Sequence, residues 1–462
     1  MSLRSLFSAK DMTLGSPWKR IMEFSIPMLI GNLAQQLYNT ADSIIVGQYV
    51  GDLALAAVGS AMPILNLLLA LFVGISTGAG IVVSQSFGAR DRKGLTEAIG
   101  NCISMSFIAS AAIMVIGPLI TMPMLQLLGT PESIIYDCRD YLNIYFLGII
   151  GFFFYNMLSG ILRGLGDSVS ALGFLLLAAA LNVVLDLLFV KDMGVAGVAL
   201  ATIISQAISA VFCYIKLARM QDLFDLGLKG MKLLPNVAGR ILQIGIPSGV
   251  TQAIMATAGM VVLNLTNAMG ETVIACNVVV MRVDGFAMMP NFTFGQAMSV
   301  YTGQNVGAGK FDRVHKGTKQ GSIIAFIFSA AITFSLLFLG KYLFALFTDT
   351  PELIDLACRM IRLMAVGYIC VSVTQVLGGV MRGAGDTVSP MWISMISTIA
   401  IRIPVAYGLA WLTRSEAFPH GQPSALFGSL MFSWAMGMVM TIVVYAAGKW
   451  KKKMYASHTD KE

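Results

Sequence analysis

Charge is what this sequence has least of: only 12% of its 462 residues are charged, against 56% hydrophobic. Soluble globular chains carry about 25% charged residues, so an ordinary water-exposed surface cannot be built, and a soluble enzyme of two or three domains is excluded. Histidine is nearly missing: the three present all fall in polar segments, which rules out a His-built metal centre. Six cysteines lie far apart without a CxxC pair, so neither a zinc site nor a disulfide framework is expected. No Walker motif occurs, so ATP is not the direct energy source of this chain. Residues 1–20 contain no apolar run of the signal-peptide kind.

What the chain has in abundance is long apolar segments. Twelve are found, near 21–46, 55–83, 98–125, 141–162, 169–190, 195–216, 241–265, 273–300, 320–345, 361–381, 389–412 and 425–448. Each reaches the roughly 20 residues a membrane helix needs. The expectation is a multi-pass protein of the cell (inner or plasma) membrane whose partner is the lipid bilayer. A net charge of +7 could signal nucleic acid, but the basic residues are distributed as in membrane proteins. With a cytoplasmic N-terminus, 23 of them fall in inside segments and 3 (Lys191, Lys341, Arg414) in outside loops. That bias predicts both termini inside and no nucleic-acid partner. With no nucleophile–base set and no metal-ligand set in the spans, no enzyme activity and no cofactor are expected.

The chain repeats itself. Ile26-Pro27 returns as Ile246-Pro247, Gln85-Ser86-Phe87-Gly88-Ala89 as Gln304-Asn305-Val306-Gly307-Ala308, and Thr130-Pro131-Glu132 as Thr350-Pro351-Glu352, offset by 219 or 220 residues. Gly51-Asp52 returns as Gly270-Glu271, and Arg163-Gly164-Leu165-Gly166-Asp167-Ser168 as Arg382-Gly383-Ala384-Gly385-Asp386-Thr387, both offset by 219. Five matches in register mean duplication. Six spans per half give parallel repeats, with a substrate site expected at their interface. The predicted organisation is a cytoplasmic segment 1–20, a first lobe 21–216, a cytoplasmic linker 217–240, a second lobe 241–448 and a basic tail 449–462. Gly74 and Gly78 have the spacing of close helix packing. The two Arg-Gly-x-Gly-Asp-[Ser/Thr] strings read as tight turns whose Asp caps the next helix.

Polar residues within spans mark candidate sites, because lipid cannot solvate them. Span one carries Asn32, Gln35, Gln36, Asn39 and Asp42, and steps of three or four place Asn32, Gln35 or Gln36, Asn39 and Asp42 on one stripe. Span five carries Asn182 and Asp186, four apart on one face. A carboxyl group in such a place can exchange protons in the physiological range; the alternative is a structural peg between helices. In the second half, Arg282 and Asp284 lie in span eight and Arg402 in span eleven. Being two apart, Arg282 and Asp284 do not face each other. For Arg402 an interlobe or backbone-carbonyl hydrogen bond is expected. Gln35, Asn39, Arg282, Asp284 and Met288 are the candidate substrate-cavity residues, methionine being adaptable to many shapes. Pro27 is the candidate hinge of span one, with a static kink as the alternative.

On Ile26-Pro27, the two Gln-x-x-Gly-Ala strings and the two Arg-Gly-x-Gly-Asp-[Ser/Thr] turns, the chain resembles the multidrug and toxic compound extrusion (MATE) transporters, of the proton-coupled prokaryotic (DinF-like) type. The resemblance covers essentially the whole chain. It implies an all-α membrane protein of twelve transmembrane helices in two six-helix lobes forming a V. It also implies a secondary antiporter that exports cationic or amphipathic organic compounds and works as a monomer. Asp42, Asn182 and Asp186 match the family's first-lobe cation-binding positions; Tyr141, Asn156 and Thr202 match neighbouring polar positions. The second lobe departs from the sodium-coupled branch, because 248–263 and 369–380 hold no acidic residue. H⁺ rather than Na⁺ is therefore the expected coupling ion. A lipid or lipid-linked oligosaccharide flippase of the same superfamily is the competing reading; three intramembrane carboxylates against two arginines lean towards cationic cargo.

Overall fold

The computed structural model describes residues 8–50, 52–226 and 232–459, without the side chains of 41–44, 46, 47, 52–56, 63 and 456–459. The described backbone is helical almost throughout. In chain order the helices are α1 (Pro17–Tyr49), α2 (Asp52–Gly88), α3 (Arg92–Leu127), α4 (Glu132–Leu147), α5 (Ile149–Gly164) and α6 (Ser168–Ala218). They continue with α7 (Pro235–Ala268), α8 (Glu271–Gly307), α9 (Phe311–Ala345), α10 (Pro351–Gly383), α11 (Val388–Met395), α12 (Arg402–Leu412), α13 (Ser424–Ala447) and α14 (Lys449–Thr459). A π-helical turn, Ile396–Ile401, joins α11 to α12.

Among the described residues, nine helical segments are long and apolar enough to cross a membrane, or ten with α4 and α5 taken as one span bent by 53°. The 51-residue α6 is two spans, because its backbone leaves the helical region at Gly194 (φ 57, ψ −133). Asn182 and Thr202, one on each side of that break, are 3.2 Å apart. Twenty residues of straight helix would cover about 30 Å, so the chain has reversed on itself. With α1 added, these segments account for the twelve expected crossings.

Helix starts follow the sequence signals. Asp91 accepts from Gly94 N (2.8 Å), and Asp167 and Asp386 of the two repeated turns accept from Ser170 N (2.9 Å) and Ser389 N (3.4 Å). Gly166 and Gly385 in those turns have φ of 82° and 93°, a region that favours glycine. Basic residues complete both turns: Lys216 lies 3.8 Å from Asp167 and Lys453 lies 2.9 Å from Asp386.

The chain forms two compact units, one of Met1–Asp11 with Ile26–Gly249 and the other of Met12–Ser25 with Val250–Glu462. This partition differs from the linear division into 21–216 and 241–448, because the leading part of each half's first helix belongs with the opposite unit. The crossover points lie beside Pro27 in α1 and Pro247 in α7. Repeated glutamines hold the exchanged segments. In the first unit Gln85 Oε1 accepts from Arg240 Nη2 (2.7 Å), and in the second unit Gln304 Oε1 accepts from Met12 N (2.8 Å). A linear reading misses the exchange because it assigns a helix to its nearest sequence neighbours.

The first unit also contains a close glycine contact between α2 and α7. A Cβ on Gly78 would stand 2.6 Å from Gly245 N, one on Gly245 would stand 2.6 Å from Ile75 Cα, and one on Gly249 2.8 Å from Leu71 Cα. The Gly74/Gly78 pair thus meets Gly245/Gly249 in antiparallel register, backbone against backbone. Gly78→Leu or Gly245→Leu should cost at least the about 1–3 kcal/mol typical of overpacking. The expected result is a lower melting temperature of the purified protein than for Gly59→Leu, where a Cβ meets nothing within 4 Å; an unchanged melting temperature would refute the contact.

Candidate functional sites in the two units

In the first unit the reversal of α6 brings Asn182, Asp186 and Thr202 together. Asn182 and Asp186 are completely buried and Thr202 nearly so. With the Asn182 amide turned so that nitrogen meets acceptor and oxygen meets donor, its Nδ2 donates to Asp186 Oδ2 (2.8 Å). Its Oδ1 then accepts from Thr202 N (3.3 Å) and Oγ1 (3.2 Å). Thr202 Oγ1 also lies 3.0 Å from Val198 O. A carboxylate only accepts hydrogen bonds, so the amide supplies a donor to the charged form, and the second limb of α6 fixes the amide.

Tyr141 on α4 is buried in the apolar cluster that contains Val190 and Val198, each one turn from a member of the polar group. Asn156 on α5 is used locally: its Nδ2 donates to Phe152 O (2.9 Å), and its own carbonyl accepts from Ser76 Oγ (2.7 Å). Gln35 Nε2 donates to Asn39 Oδ1 (3.2 Å), so the α1 stripe forms at least one bond along its own face. The side chain of Asp42 lies outside the described residues.

The second unit holds a cavity of about 410 Å³, the size range of small-molecule sites. Asp284 and Met288 of α8 line it, with Arg382 of α10, Arg402 of α12 and Trp434 of α13. Met255, Met281 and Met381 add further thioether surface. The Tyr368 hydroxyl donates to Asp284 Oδ1 (2.9 Å). Two expectations change here. Arg282 is exposed and is not part of the lining, since a step of two residues turns it away from Asp284. Arg402 faces this cavity within its own unit, and its Nε is among the buried polar atoms without a hydrogen-bond partner in the described residues. That Nε makes no backbone-carbonyl bond of the kind expected of Arg402.

Sequence reasoning did not single out Tyr368, Arg382 or Trp434. Tyr368 lies 84 positions from the carboxylate it serves, beyond any local pattern, and Arg382 was read only as part of a turn.

The MatE family model matches residues 27–188 and again 247–408, more than half of the chain. The chain belongs to the MATE family. This MATE chain is 30% identical over 446 residues to "Probable multidrug resistance protein YpnP" of Bacillus subtilis, covering 96% of this chain and 98% of that protein. It is 26% identical to "Probable multidrug resistance protein YoeA" of the same organism (95% of each chain), and 24% identical to "Multidrug export protein MepA" of Staphylococcus aureus (93% and 92%). Among solved structures, a MATE bound to MaL6 superposes with a TM-score of 0.86 over 97% of this chain and 98% of that one, at 24% identity. An outward-facing multidrug resistance MATE gives 0.85 over 97% and 99%, also at 24% identity. These structures share the fold. The MATE chain is therefore a multi-pass membrane transporter, and its duplication appears as two successive matches to one model.

The Asn182–Asp186 bond can be tested by a double-mutant cycle on the MATE chain. Asn182→Leu should lower stability by about 1–3 kcal/mol, the cost of leaving a buried polar partner poorly satisfied. Asp186→Leu in that background should recover part of the loss. Thermal unfolding of the four proteins in detergent measures the coupling; strict additivity would show that the two side chains do not interact.

Proposed function

We propose that this chain is a secondary antiporter that exports cationic or amphipathic organic compounds in exchange for H⁺, with the exchanging carboxylate in the first unit. The observation that carries this reading is Asp186, wholly buried and bonded to an amide that Thr202 in turn positions. A buried carboxyl group that gains and loses a proton changes its demand for a counter-charge, which either the proton or a cationic cargo can meet. Exchange follows when both compete for one group. A ligand shifts a conformational equilibrium only through differential affinity for its two states, and the proton has such differential affinity here. The names of the relatives, multidrug resistance and multidrug export proteins, support small-molecule cargo. Asp42 enters this reading on sequence alone, as the end of the α1 stripe, and Pro27 as the place where α1 bends when that stripe repacks. No bound cofactor is required, and a single copy of the chain suffices.

The test is export of a fluorescent organic cation from everted vesicles under an imposed pH or Na⁺ gradient. A pH gradient should drive transport without sodium. Asp186→Asn should reach the membrane in normal amount and lose pH-driven export by at least tenfold. Transport that needs Na⁺ and ignores the pH gradient, or full export by Asp186→Asn, would overturn the reading.

A further inference from the structure

The two halves have diverged in charge at equivalent positions. In the first half Arg163 Nη1 donates to Ser159 Oγ, one turn back on α5, at 2.8 Å. The repeat offset of 219 carries Arg163 to Arg382 and Ser159 to Gly378. Glycine offers the second arginine no side-chain acceptor; the Arg382 Nη1 lies 3.3 Å from where a Cβ on Gly378 would stand, and the guanidinium lines the cavity. The same loss of a side chain that removes the partner also opens the wall.

The second divergence lies beyond the π-turn. In an ideal α-helix, residues eight apart are rotated by about 80°, so Ser394 and Arg402 would point to different faces. A π-helical turn takes up more residues per turn than an α-helical one, and here it returns Arg402 to the face of Ser394 and Thr398, all three on the cavity wall. Ser433 Oγ stabilises the turn by donating to Ser397 O (2.7 Å). The family model's two matches end 220 residues apart, at 188 and 408. At that offset Arg402 stands where the first half has Asn182, and Ala406 where it has Asp186. A carboxylate–amide pair in one half is thus a guanidinium and a methyl group in the other.

The electrostatic consequence is a cavity with two guanidinium groups and one carboxylate. Among the described residues, Arg382 and Arg402 take part in no ion pair. Asp284 attracts Arg402 across the cavity without an ion-pair contact, and its Oδ1 is already held by the Tyr368 hydroxyl. Both guanidinium groups are half-buried, and one held on an apolar wall with no carboxylate in ion-pair contact favours a planar anion bound through paired N–H donors. The rest of the wall is apolar and adaptable, with Trp434, Phe292 and the thioethers of Met255, Met281 and Met288.

We propose that the cavity of the second unit is a binding site for amphipathic organic carboxylates, whose anionic group sits on Arg402 and Arg382 and whose apolar body lies against Trp434 and the methionines. It is separate from the Asp186 group and takes cargo of the opposite charge. The proposal does not depend on proton-coupled cation export.

The test uses the full chain in phosphatidylcholine nanodiscs and equilibrium dialysis of three probes with one aromatic body: 2-naphthylacetate, its methyl ester, and 2-naphthylethylammonium. The carboxylate should bind about tenfold or more tightly than the ester, one such factor being 1.4 kcal/mol, and the ammonium more weakly than either. Arg402→Gln and Arg382→Gln should each bring carboxylate affinity down to that of the ester while leaving the ester unchanged. Retained ester binding reports an intact cavity, and Arg402→Lys should keep part of the preference. Asp186→Asn should leave carboxylate binding unaltered whatever it does to cation export, so the two readings fail separately. Equal binding of carboxylate and ester by the wild type, preference for the ammonium, or carboxylate binding undiminished in both arginine variants would overturn the proposal. So would variants that lose carboxylate and ester in equal measure.

Discussion

Within a bilayer a polar side chain has no water to fall back on, and its partners must come from the protein itself. That constraint organises both halves of this chain. Asp186 can be wholly buried because Asn182 lies one turn away and because α6 turns back at Gly194 to bring Thr202 to the amide. Asp284 has its donor 84 positions away in the sequence, because α10 delivers the Tyr368 hydroxyl to it. Where the protein supplies no such partner, as at the Arg402 Nε, a cavity opens beside the unsatisfied group. The position of the polar groups therefore decides which helices must touch and where space is left.

The duplicated architecture makes the comparison between halves informative. The turns that start the fifth and eleventh spans keep the same chemistry, an aspartate cap with a basic residue nearby. So do the two glutamines that hold the exchanged leading segments. Change is concentrated inside the spans, where Ser159 gives way to Gly378 and the Asn182–Asp186 pair to Arg402 and Ala406. Caps and turns are fixed by backbone hydrogen-bonding needs that both halves share. Side chains facing a cavity answer to a ligand, and the two halves are free to face different ligands.

The prolines near the exchange points have a place in the same scheme. Pro27 and Pro247 each interrupt the hydrogen-bond ladder of the helix that passes from one unit to the other. A helix that belongs to two units needs a point at which its direction can differ from that of a straight rod, and a missing N–H supplies one at the same position of the repeat.

The sequence by itself determined the membrane class, the twelve crossings, the duplication, the caps of the repeated turns and the family, because each depends on composition or on local spacing. Asn182 and Asp186 were legible for the same reason: four residues apart on a helix is a spatial statement. Gly74 and Gly78 announced a close contact, but only the folded chain names Gly245 and Gly249 as the other side. Tertiary structure alone decided the exchange of leading segments, the pairing of Tyr368 with Asp284, and the arrival of Arg382 and Arg402 at one cavity while Arg282 stays outside. These join residues separated by tens to hundreds of positions, and one of them hangs on a single π-turn that rotates a side chain onto the cavity face. Periodicity read at 3.6 residues per turn cannot register such a rotation, since the π-turn changes the winding itself between α11 and α12.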